Sequence, residues 1–96
     1  MNIRRKAGFY IRVSVKRQNG ESGFYFQKVS GWVKSFKDSD GFLVRIGFHR
    51  NEDVRLWYIT ELDTGLGCGG AETYKGAVQL VRARIDAIAK ALQEPK

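Results

Sequence analysis

Cys68 and His49 are the only thiol and the only imidazole in the chain, the residue types from which a nucleophile and its base are assembled. They fall on different predicted strands and no base flanks Cys68, so Cys68 reads as a small buried hydrophobe. A structural zinc wants about four Cys or His ligands, and these two are all the chain has. Gly65-Leu66-Gly67-Cys68-Gly69-Gly70 matches G-x-G-x-x-G between a strand and a helix. A dinucleotide site also needs a parallel strand after the helix carrying an acid for the ribose, whereas here Asp86 falls within the helix. The glycines therefore read as a tight strand-to-helix connection, with phosphate on the first free amides of the helix as the alternative. Asp38-Ser39-Asp40-Gly41 opens like a calcium loop, but Gly41 comes too early and no glutamate closes it, so it reads as a turn. The ten acids lie mostly in turns, without the facing pair that glycoside-type chemistry needs. No enzyme activity, cofactor or metal is expected.

Basic and aromatic residues form the constellation with chemical content. The formal net charge is +7, and residues 1–37 hold nine basic side chains (Arg4, Arg5, Lys6, Arg12, Lys16, Arg17, Lys28, Lys34, Lys37) against Glu21 alone. The remaining residues are close to neutral, so the surplus can form one positive face that attracts a polyanion. If Phe9, Ile11, Val13 and Val15 pack inward beneath a helix, then Tyr10, Arg12, Ser14 and Lys16 point out on the opposite sheet face. Tyr25, Gln27, Lys28, Arg45, His49, Arg55 and Trp57 are expected to join them, with Arg4, Arg5 and Lys6 in a basic arm over residues 1–7 and Arg17 at the hairpin turn. Cations can neutralise phosphates with release of counterions, and aromatic faces can stack on unpaired bases. The same face could equally be a solvated surface, a protein-binding surface or a homodimer interface.

These residues depend on a small set of elements. Phe9 to Arg17 alternates as a half-buried strand, and Gln18-Asn19-Gly20 signals a hairpin into a long run from Phe24 to Phe36. Phe24 and Phe26 share a face, but the parity drifts by Val29 and Val33, which places a bulge or sharp bend at Gly31. Phe42 to His49 and Val54 to Leu62 read as a third and a fourth strand, with a short Gly-rich fifth around Leu66-Gly67-Cys68. Thr73 is the candidate N-cap of a helix whose apolar stripe is Tyr74, Val78, Val81, Ile85, Ile88 and Leu92, with Pro95 beyond it. The fold class is α+β: a four- to five-stranded antiparallel meander packed on one C-terminal helix, as a single domain over residues 1–96. A hydrophobic fraction of 43% and a charged fraction of 28% suit a chain that folds alone. The opening segment lacks an apolar h-region, no run approaches a membrane span, and a lone cysteine suits a reducing compartment, so a soluble cytoplasmic protein without membrane contact is expected.

Two stretches resemble known families. Gly8-Phe9-Tyr10-Ile11-Arg12-Val13-Ser14-Val15-Lys16, then Asn19-Gly20 and the basic second strand, resembles the opening of the arm-type DNA-binding domains of phage and transposon integrases. In that family a three-stranded sheet on a helix enters the major groove, and the resemblance implies Arg12, Lys16 and Lys28 as groove or phosphate contacts. The segment from Trp57-Tyr58-Ile59-Thr60 through Gly65 to Thr73-Tyr74-Lys75-Gly76-Ala77 is similar to the strand, turn and Thr-x-x-x-Ala helix of HicB-like antitoxins. In size the chain is also similar to small phage accessory proteins, anti-CRISPR inhibitors among them. The function expected is a non-enzymatic binding module of phage or mobile-element type contacting nucleic acid. A protein-binding inhibitor of a host nucleic-acid enzyme, or a homodimer formed through the open sheet face, is the alternative.

Overall fold

The computed structural model describes residues 5–16 and 18–93. Five strands, β1 (Arg5–Lys16), β2 (Ser22–Lys37), β3 (Leu43–Asn51), β4 (Leu56–Glu61) and β5 (Gly67–Ala71), precede one helix, α1 (Tyr74–Gln93). Each strand pairs antiparallel with the next, in sheet order β1-β2-β3-β4-β5, so the fold is the expected α+β meander with a single helix. β1 begins at Arg5, so Arg5 and Lys6 belong to a strand opposite Val33 and Trp32 and not to an arm.

The turns form as their residue types dictate. Asn19 Oδ1 accepts a bond from the Glu21 amide at 3.0 Å beside Gly20 at φ 86°. The Asp38 carboxylate accepts bonds from the amides of Asp40 and Phe42. α1 opens on Thr73, whose hydroxyl oxygen accepts the Gly76 amide at 2.9 Å and so satisfies one of the free donors of the first turn. Asp86 ties the helix to the β2–β3 turn by accepting from both the amide and the hydroxyl of Ser39.

Cross-strand partners share a face, so the register settles what lies under the helix. Phe48 stands opposite Trp32 and Ile59, and Val44 opposite Phe36. With Ile46 they form the core against Ala77, Val78, Val81 and Ala89 of α1. Edge-on ring contacts run from Phe36 to Phe48, Tyr74 and Trp57, each adding about 0.5–1.5 kcal/mol beyond the area buried. β3 thus turns the expected residues inward, but β4 does the reverse of the expectation: Ile59 is in the core and Trp57 meets Tyr74 at 5.4 Å.

β1 is also reversed. Phe9 is buried, yet on the sheet face away from α1, where its ring lies 6.1 Å from that of His49. It gets there because the sheet curls. In a flat sheet β1 and β4 would be about 14 Å apart, three strand spacings, but the Arg12 amide donates to the carbonyl of Gly65 in the β4–β5 turn at 2.8 Å. Two glycines make the curl sterically possible. A Cβ on Gly31 would fall 2.0 Å from the Phe48 carbonyl oxygen, and one on Gly47 would fall 2.6 Å from the Phe9 ring. No bulge occurs at Gly31, which pairs with Ala7 in an unbroken ladder; among the described residues the register shifts at Ile59 and Thr60 instead. The face opposite the helix is therefore not open at its centre: Phe9 closes it over Gly47 and His49, and Tyr58 packs on the His49 ring.

Candidate nucleic-acid interface

α1 packs on β5, β3 and β4 and meets β2 only marginally. The side of the sheet that carries the helix therefore continues, uncovered, along β1 and the first half of β2. On this outer face of the hairpin Tyr10 stands opposite Lys28, Arg12 opposite Phe26, Ser14 opposite Phe24 and Lys16 opposite Ser22. The Arg12 guanidinium lies 3.7 Å from the centre of the Phe24 ring, a cation–π contact. Phe24 and Phe26 meet edge-on with ring centres 5.6 Å apart. Tyr10, Phe24 and Phe26 remain 57%, 50% and 54% exposed, unusually high for three large aromatic residues on adjacent rungs. An open depression of about 470 Å³ lies among Arg12, Ser14, Lys16 and Phe24.

Lys6, Arg12, Lys16 and Lys28 all belong to this face, and among the described residues none of them is held in an ion pair. Glu21, the one acid before Asp38, is exposed at the hairpin turn. The face is thus cationic and aromatic together, with its charges in water and ready to exchange counterions for phosphates.

The structure brings together only part of the expected constellation. Lys6, Tyr10, Arg12, Lys16 and Lys28 share the outer hairpin face. Arg5 and Tyr25 have the opposite parity and project from the other side of the hairpin. Arg45 is bonded to Asp63 at 2.7 Å, and this hydrogen bond holds its guanidinium above its ordinary pKa. Arg55 sits in the β3–β4 turn in a left-handed conformation, φ 56°, away from the sheet faces. Trp57 is under the helix and His49 is buried between the rings of Phe9 and Tyr58, so neither joins an open surface. Arg4 and Arg17 lie outside the described residues.

Sequence reasoning left Phe24 and Phe26 out of the site. A two-residue Asn19-Gly20 turn would pair Arg12 with Gln27 and Val15 with Phe24 and so put both rings on the other face. The actual register is centred on Asn19, with Lys16 opposite Ser22, and it brings Phe24 and Phe26 to the Arg12 face.

The thiol and the imidazole are separated by the sheet. Cys68 packs against the core on the helix side, and burial raises its pKa, keeping the thiol protonated and poorly nucleophilic. It lines an apolar groove of about 420 Å³ between α1 and the β4–β5 turn, with Leu66, Ile88 and Leu92. Beneath that groove the buried Glu61 carboxylate accepts bonds from the Asp63 amide and from the amide and hydroxyl of Thr64, so it is spent on shaping the turn. Among the described residues no three His, Cys, Asp or Glu side chains are grouped to hold a metal ion, and no helix is long and apolar enough to cross a membrane. The glycine-rich segment is strand β5, paired antiparallel with β4. Comparison of the chain with family models, with curated proteins and with solved structures returns no match.

Proposed function

We propose that the protein is a non-catalytic module that binds nucleic acid, chiefly through phosphates, with the outer face of the β1–β2 hairpin. The observation that carries this reading is the union of four solvated cations, Lys6, Arg12, Lys16 and Lys28, with exposed aromatic rings on a face the helix does not reach. Cations in that setting gain little from the protein itself. Each releases a counterion from a polyanion when it meets a phosphate, so affinity must fall steeply with salt.

Four phosphate contacts give a slope of log affinity against log salt of about −2.8 for single strands to about −3.6 for duplex. Between 50 and 200 mM salt, anisotropy titrations against labelled DNA and RNA should therefore show affinity falling by roughly 50- to 150-fold. Arg12→Glu and Lys16→Glu should weaken binding to a similar degree for every sequence, since phosphate contacts position without specifying. Binding indifferent to salt, or untouched by both reversals, contradicts the proposal.

A further inference from the structure

We infer that the hairpin face recognises unpaired strands, stacking their bases on Phe24, Phe26 and Tyr10, and that duplex is the poorer ligand. This rests on the nucleic-acid reading above and adds the class of ligand.

The argument begins with what the rings are doing. Phe24 and Phe26 are half-exposed near the turn end of the β1–β2 hairpin, flanked by Arg12 and Lys28, with one edge of the Phe26 ring against Gly65. A ribbon that reads a duplex lies in the major groove and needs donors and acceptors at its centre to meet base edges. Phenylalanine has neither. Its ring faces suit the flat surface of a base, which is accessible only where the base is not already covered by stacked neighbours.

Spacing favours the same ligand. The ring centres of Phe24 and Phe26 lie 5.6 Å apart with their planes at 84°. That exceeds the base-to-base rise of about 3.4 Å in a stacked duplex strand, so bases that meet both rings must be drawn apart and turned from one another. Arg12 extends the platform: its guanidinium carbon sits 3.7 Å from the centre of the Phe24 ring, and guanidinium planes stack on bases as rings do. The nearby Lys6, Lys16 and Lys28 supply the charge that tracks the backbone.

The chemistry of the face also fixes the kind of partner. Its charges are all of one sign, with Glu21 at the turn as the nearest acid in sequence, so a polyanion complements it.

The test uses the full chain and three labelled probes: a single-stranded 12-mer of mixed sequence as DNA, the same as RNA, and the matched DNA duplex. At 50 mM salt the single strands should bind at least tenfold more tightly than the duplex. Phe24→Ala and Phe26→Ala should each weaken single-strand binding by about 5- to 150-fold, the range for loss of one stacked base, while leaving the salt slope unchanged. Phe24→Trp should restore binding, and circular dichroism melting of each variant checks that it folds, as expected for residues exposed to solvent. Duplex bound as tightly as single strands, or alanine variants that bind as well as the parent, overturns the stacking inference and leaves the phosphate reading standing. No binding to any probe at low salt overturns both.

Discussion

His49 shows how a single residue can report on the curl of the sheet. Its ring is held between Phe9 of β1 and Tyr58 of β4, and Nδ1 has no hydrogen-bond partner among the described residues. Burial pushes its pKa below the ordinary value, because the charged imidazolium would lose its hydration there. The unfolded chain therefore takes up the proton first as the solution is acidified. Stability from this site is present above the ordinary imidazole pKa of about 6.5 and is lost progressively as the pH falls below it. As His49 is the only histidine, urea midpoints at pH 7.5 and 5.5 isolate it from most carboxylate titration. The midpoint should drop in acid, and His49→Phe should remove most of that drop. A midpoint that is level or higher at pH 5.5 would mean that the imidazole is hydrated and β1 does not close over it.

At the scale of elements, the decisive feature is β2, which serves two partners: β1 from Ser22 to Val33 and β3 from Trp32 to Lys37. Pairing with β3 begins just after Gly31, where a methyl group would collide with the Phe48 carbonyl. Gly31→Ala should cost about 3 kcal/mol or more in urea denaturation, since the backbone of β2 would have to leave β3. Gly23→Ala, whose Cβ would meet only Val15 Cγ2 at 3.9 Å, should stay within about 0.5 kcal/mol of the parent. Equal effects at the two sites would contradict the close approach.

The strands themselves were legible in the sequence, because alternation, Asn19-Gly20, Asp38 to Gly41 and the Thr73 cap are local signals that the structure bears out. The choice of face was not. Period two defines two stripes of equal standing, and which one meets the helix depends on long-range pairing such as Phe48 with Ile59. β3 presents a plainly apolar stripe, and that stripe is the one under the helix. β1 and β4 carry large side chains on both stripes, so alternation alone puts Trp57 outside and Phe9 under the helix, the opposite of what is found.

Across the whole molecule the labour is divided along the chain. The second half of β2 joins β3, β4, β5 and α1 around the core, while β1 and the first half of β2 form a ribbon beside it. The surplus of charge in residues 1–37 is visible in the sequence, and Arg5, Lys6, Arg12, Lys16 and Lys28 of it lie on that ribbon, but the curl that hides His49 and the register that gathers Arg12, Phe24 and Phe26 depend on contacts no local pattern encodes. The central claim is that function resides on the outer face of the ribbon and not in the apolar groove beside Cys68. The most direct test is a two-dimensional amide NMR titration of the full chain with a short single-stranded oligonucleotide at low salt. Resonances from Tyr10 to Lys16 and from Phe24 to Lys28 should move while those of α1 stay fixed; shifts confined to α1 and the β4–β5 turn, with the ribbon unmoved, would contradict the claim.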